Sequence, residues 1–372
     1  MNTRLISVLV VSALLSACGG GGGGDTKPTT VGNGGGSGGT TNPPAVIPST
    51  LVDSVPPATY DANSVEGSAY ALLNDMRSKA GFGLLAQNAQ LDAAAKNHLA
   101  YLFANNIYGY KPLSDIDPTT GQMVVHSETA VGTTGFTGAT SPERIAYAGY
   151  AAAESHETIA YTSPDLYPGA CADDLLTSVY HRAILLRGYT DVGIAYQGTP
   201  ATENAAAGGL CQVTVATKTR RQHMASDTFA VYPYAGQTYV ATTFLEAPEP
   251  LPDYTGYKGQ PISVNFGSPA YTITAFTLVD NKGATIPTVL LAGNAQLSQV
   301  PGTRQDRMLE ATEVYLVPTQ PLTCDTTYTV TLTGTFNGAP LNKTWQFSTG
   351  PQYNKDTFKR GDHVCFDANT VY

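Results

Sequence analysis

Hydrophobic spacing changes period once along this chain, and that change limits the folds open to it. Val65, Ala69, Leu72, Leu73, Met76 and Ala80 recur at helical intervals and share one face. Asn63 with Glu66 three residues on reads as a capping pair, and Gly81 as a stop. Leu91, Ala94, Ala95, His98, Leu99 and Leu102 form a second helical face, which makes His98 a packing histidine. Ser141, Arg144, Ile145 and Ala148 predict a short helix closed by Gly149. Leu175, Leu176, Val179, Ala183 and Leu186 predict another that begins after Gly169. From Asp191 the period becomes two: Asp191 to Tyr196, Leu210 to Val215 and Thr228 to Tyr232 alternate as strands do. Helices first and strands later predict an α+β fold with antiparallel pairing.

The ends of the chain read differently. Arg4, the apolar run Leu5 to Leu14 and the close Leu15-Ser16-Ala17-Cys18 make a lipoprotein signal cut before Cys18. The run is shorter than the roughly 20 residues a spanning helix needs. An acylated Cys18 would hold the protein at a membrane, and Gly19, by likeness to Gram-negative lipoproteins, favours the outer one. Gly19 to Ser49 is almost wholly Gly, Thr, Pro, Ser and Asn, a tether that cannot bury a core. At the other end the prolines of Glu246 to Pro252 mark a stiff boundary. Beyond it Ile262, Val264 and Phe266, then Tyr328, Val330 and Leu332, then Trp345 and Phe347 alternate, which predicts an antiparallel β-sandwich. The expected plan is a signal over 1–17, a tether over 18–50, an α+β domain over 51–252 and a β-sandwich with its tail over 253–372.

A net charge of -9 without a Lys/Arg cluster argues against a nucleic-acid partner. With Cys18 lipidated, Cys171, Cys211, Cys324 and Cys365 remain, an even number suited to an oxidising compartment. Three pairings are open. Keeping each bond inside one expected domain favours Cys171 with Cys211 and Cys324 with Cys365. No C-x-x-C spacing points to a cysteine metal site.

The chemistry gathers between Val125 and Leu186. His126 and Glu128 alternate, so on an extended segment both point the same way. Asp174, Ser178 and His181 fall at i, i+4 and i+7, a polar stripe beside the apolar face of the last helix. His156-Glu157-Thr158-Ile159-Ala160 opens like H-E-x-x-H but lacks the second histidine, so a helical zinc-protease motif is absent. A serine hydrolase built on Ser178, His181 and Asp174 is disfavoured, because groups on one helix face do not form a nucleophile, base and orienter chain. Neutral imidazoles near carboxylates suit a divalent cation such as zinc, and equally an acid/base pair.

Val125-His126-Ser127-Glu128, the run Ser141 to Tyr150, His156-Glu157-Thr158-Ile159-Ala160-Tyr161 and the run Ser178 to Leu186 together resemble the bacterial branch of the CAP superfamily, also called SCP domains. The resemblance covers roughly Ala62 to Pro252. It implies an α-β-α sandwich with a central antiparallel sheet and a cleft lined by two histidines and two acidic residues. His126 and His181 match the histidines, and Glu157 matches the glutamate of the family's Gly-Glu-Asn-Ile-Ala phrase, with His156 and Thr158 in place of its glycine and asparagine. Glu128, Asp174 and Asp165 compete for the fourth place. The last part of the chain, from Pro321-Leu322 to Trp345-Gln346-Phe347-Ser348-Thr349-Gly350, resembles Ig-like domains of bacterial surface proteins and reads as a spacer or adhesion module. The function expected is a surface-anchored module binding a protein, glycan or lipid, its cleft able to hold a divalent cation at His126 and His181. A cation-dependent hydrolase acting on peptides or envelope material is the alternative.

Overall fold

The computed structural model describes residues 45–108, 116, 123–129, 133–162, 169–199, 208–352 and 365. The lipidation expected at Cys18, the tether as far as residue 44, and Asp165 lie outside the described residues.

Helix α1 (Val65–Ala80) starts one residue later than the Asn63 reading predicts: Ser64 is the cap, its Oγ accepting the Gly67 N–H at 3.0 Å. Glu66 instead accepts the Tyr196 N–H from the sheet. Gly81 ends the helix at φ 91°, a left-handed position that favours glycine. Helix α2 (Ala89–Ala104) is capped by Asn88, which accepts the N–H groups of Gln90 and Leu91. Among the described residues three further helices follow: α3 (Ser141–Tyr147), α4 (Ala170–Leu176) and α5 (Tyr180–Leu186).

The first sheet has the order β1 (Ala86–Gln87), β3 (Asp191–Thr199), β4 (Gly208–Thr217), β2 (Glu154–Thr162). β1 runs parallel to β3, and β4 is antiparallel to both β3 and β2. All ten residues of β4 are buried because both faces are covered. Cys211, Val213 and Val215 pack with α1, α4 and α5, while Leu210 packs with α2 and Ala216 with α2 and α3. The result is helix, sheet and helix in three layers. α2 lies so close on β3 that a Cβ at Gly193 would stand 2.1 Å from the Leu91 carbonyl carbon. Thus one missing side chain sets the spacing of two layers.

The chain then builds a five-stranded sheet, β5 (Phe229–Tyr232), β6 (Ile262–Phe266), β10 (Glu313–Pro318), β8 (Thr288–Ala292) and β9 (Arg304–Gln305). A three-stranded sheet, β12 (Ala339–Ser348), β11 (Thr327–Phe336) and β7 (Tyr271–Val279), shares one core with it, including Val264, Leu316, Ile273, Val330, Trp345 and Phe347. Sequence order places Thr228 to Tyr232 in the first sheet; the strand instead pairs antiparallel with β6, Val231 opposite Val264. Its alternation explains the move. Ala230 and Tyr232 join the helix-side core, while Phe229 and Val231 pack on the β-sheet core. The outer face of the five-stranded sheet is covered as well: Val179 and Ala183 bury with Phe244, Leu251, Val289, Leu291, Tyr315 and Val317. All described residues fall in one compact unit.

Two disulfides form, Cys171–Cys211 and Cys324–Cys365, with Cα separations of 5.8 and 5.7 Å. The first fastens α4 to β4, and not the helix that carries His181, because the helix is interrupted between α4 and α5. Replacing both Cys171 and Cys211 by alanine should lower unfolding stability by about 2–4 kcal/mol, since a loop of 40 residues loses its closure. A denaturant midpoint unchanged from the parent protein would refute this.

Candidate functional site

Glu157 sits on β2 opposite Thr214 of β4, and its side chain is almost entirely buried. Three groups converge on it. His126 Nδ1 lies 3.0 Å from Oε1, Arg144 Nη2 donates to Oε1 at 2.5 Å, and Gln212 Nε2 donates to Oε2 at 3.1 Å and to Thr214 Oγ1 at 3.2 Å. Burial alone raises a carboxyl, but the Arg144 guanidinium and the His126 hydrogen bond outweigh it and hold Glu157 well below the usual carboxylate range. Arg144, on α3, is itself buried and donates to the carbonyls of His126, Gly138 and Ala139. It therefore ties β2, the His126 segment and the loop before α3 into one network.

Glu128 and His126 have different partners. Val124–His126 is a 3-10 turn, so the two side chains diverge where extended backbone would have aligned them. Glu128 is fully buried, accepts the N–H groups of Thr137 and Gly138, and lies 2.8 Å from His98 Nδ1. The other His98 nitrogen faces the Val125 carbonyl at 2.8 Å. This is a packing network that fixes the His126 segment to α2.

Around His181 the geometry departs from the predicted polar stripe. A single helix through 170–186 would align Asp174, Ser178 and His181, but α4 ends at Leu176 and α5 restarts at Tyr180. Asp174 is exposed and accepts from Thr162 Oγ1 at 2.7 Å. Ser178 is buried, with Oγ 3.1 Å from His181 Nδ1. The acid that meets His181 is Glu246, whose Oε1 stands 3.4 Å from Nδ1. Burial, with a smaller contribution from His126, pushes the His181 imidazole down to about 3, so the ring is neutral near pH 7.

Both histidines thus engage a carboxylate side through Nδ1. Their side chains remain partly open, 23% for His126 and 17% for His181, and neither Nε2 has a hydrogen bond among the described residues. No group of three or more His, Cys, Asp and Glu among the described residues is placed to hold a metal ion. Ser178 does not make a hydrolase triad: its hydroxyl and Glu246 meet the same ring nitrogen, where a triad needs them on opposite ones. His156, next to Glu157 in the chain, points the other way and bonds the Tyr189 hydroxyl at 2.6 Å. A separate hollow of about 450 Å³ between α3 and the start of β2 is lined by Pro142, Ala146, Tyr150, Glu154 and His156, and by neither cleft histidine.

Arg144, Gln212 and Glu246 are the members that periodicity does not announce. Arg144 reads only as a turn of a short helix, and Gln212 as one position of an alternating strand. Glu246 lies 65 residues beyond His181 in a proline-rich run.

No described helix is long and apolar enough to cross a membrane. Among curated proteins no match is found. An outer surface protein of Borrelia burgdorferi is a similar solved structure, with 16% identity over 43% of this chain and 97% of that one and a TM-score of 0.30. Residues 70–239, the span that holds His126, Arg144, Glu157, His181 and Gln212, match the model of the cysteine-rich secretory protein family, CAP.

Proposed function

We propose that this protein is a cell-envelope binding or interaction module, anchored at the outer membrane through an acylated Cys18, whose cleft takes a divalent cation such as zinc on Nε2 of His126 and of His181. The β-rich part after residue 252 is read as an Ig-like sandwich that holds the cleft out from the membrane. The ligand class is a protein, glycan or lipid.

The pairing of each Nδ1 with a carboxylate, Glu157 for His126 and Glu246 for His181, carries the cation reading. Histidine ligands to metals usually keep their second nitrogen on a carboxylate or carbonyl, which fixes the tautomer and raises ligand basicity. The donor set fits in kind: two imidazoles of which His181 is neutral near pH 7, with water or a ligand group completing the coordination. Glu157 is saturated by Arg144, His126 and Gln212, so it supports the site from behind and is not itself a ligand.

Zinc titration of the full chain by calorimetry tests this. One saturable site is expected, lost in a His126→Ala/His181→Ala variant of unchanged circular dichroism. Equal binding by the variant, or none by the parent protein, overturns the cation site and turns the search to an uncharged cleft.

A further inference from the structure

The break between α4 and α5 creates a local need. A helix that restarts at Tyr180 exposes backbone N–H groups without intrahelical acceptors. Glu246 meets that need from outside the span that matches the CAP family. Its carboxylate, fully buried, accepts the Val179 N–H at 2.8 Å on Oε2, and those of Tyr180 at 2.8 Å and His181 at 2.9 Å on Oε1. The same Oε1 stands 3.4 Å from His181 Nδ1.

Glu246 is itself firmly seated. Phe244, two residues before it, donates its N–H to the Lys258 carbonyl at 3.1 Å and is buried with Leu251, Val179 and Ala183. Lys258 pairs with Glu249 at 2.8 Å, which closes the segment on itself. From the same side α5 is held by Arg182, which donates to the Pro261 carbonyl at 2.5 Å, and by the Tyr180 hydroxyl, which donates to Asp306 at 2.8 Å. Hence the position of His181 depends on groups that follow the CAP-like span as much as on the span itself.

We propose that Glu246 is the positioning residue of His181: by occupying both the start of α5 and the Nδ1 side of the ring, it fixes the Nδ1–H tautomer and directs Nε2 into the cleft. Acceptor oxygens beside Nδ1, Ser178 Oγ at 3.1 Å and Glu246 Oε1 at 3.4 Å, favour a proton there, and the lone pair then belongs to Nε2. His126 obtains the same orientation from Glu157, a residue of β2 inside the CAP-like span. His181 obtains it from the connecting segment, which is why no acid near His181 in sequence fills the role. The affinity consequence rests on the cation reading above, whereas the ring geometry does not.

The test uses the full chain with nitrogen-15-labelled histidine. In the metal-free parent protein the His181 ring nitrogens should report an Nδ1–H tautomer. Glu246→Gln keeps the side-chain size and one acceptor but puts an NH2 donor in place of the other oxygen. It should shift His181 toward a mixture of tautomers and weaken zinc binding about 10–100-fold, the usual effect of losing a carboxylate behind a histidine ligand. Glu246→Ala should do the same more strongly, and if it fails to fold the glutamine variant still decides. An unchanged His181 tautomer in Glu246→Gln overturns the proposal. If the parent protein takes no zinc while the tautomer still responds, the cation reading falls and the positioning role stands.

Discussion

Replacing Arg144 by methionine is expected to remove about 3–5 kcal/mol of unfolding stability at pH 7, the usual cost of stranding one member of a buried ion pair. Both partners are almost fully buried, and the guanidinium also satisfies the carbonyls of His126, Gly138 and Ala139. The pH dependence separates this from simple loss of packing. With Arg144 present, the Glu157 carboxyl is held below its unfolded value of 4.5, so its stabilising share is complete above that value and is lost as pH falls through the folded value. Without Arg144 the largest influence opposing burial is gone, so the folded value rises and the stabilising share held at pH 7 shrinks. Urea midpoints of parent and variant at pH 7 and pH 4 should therefore show a deficit that shrinks in acid. A deficit equal at both, or below about 1 kcal/mol at pH 7, would show that Arg144 acts by packing alone.

The helical layers were legible because each buries a single face. Ala69, Leu73 and Ala80 on α1 and Leu91, Ala94 and Leu99 on α2 repeat at the helical interval and are buried where the interval predicts. The strands of the three-stranded sheet were legible for the same reason, since Tyr328, Val330 and Leu332 face the core and their neighbours do not. Alternation fails where both faces are covered, as in β10, whose six residues are all buried between two layers. It also fails for β2, which carries Glu157 but shows a mixed burial pattern. His126 and His181 stand in local phrases that a reading of the sequence can single out. Their carboxylate partners illustrate the limit. Glu157 stands in a phrase of its own, whereas Glu246 is brought to His181 only by tertiary contact. The break before α5 was equally hidden: Leu175, Leu176, Val179, Ala183 and Leu186 suit one continuous helix, and nothing local signals that a distant carboxylate caps a second start at Val179.

That same long-range dependence makes Arg187 the second position of large effect. At the end of α5 it grips Glu313 of β10 with two parallel bonds, Nε to Oε1 at 2.9 Å and Nη2 to Oε2 at 2.8 Å, and donates to the Met308 carbonyl. Glu313 is almost wholly buried; burial pushes its carboxyl up, and Arg187 opposes that rise. Beside this pair Arg221 links Glu154 of β2 to Glu310. Arg187→Met should therefore cost about 3–5 kcal/mol by leaving Glu313 buried without its cation, whereas Arg187→Met/Glu313→Leu should recover most of the loss, since an apolar pair of similar volume often replaces a buried ion pair at little cost. Chemical denaturation of the two single variants and the double variant, read as a double-mutant cycle, measures the coupling. Additive losses would mean that the two charges are held independently. A strong coupling would instead mean that the helix carrying His181 and the five-stranded sheet are stabilised through each other, so that a disturbance of the sheet at Glu313 is felt along α5.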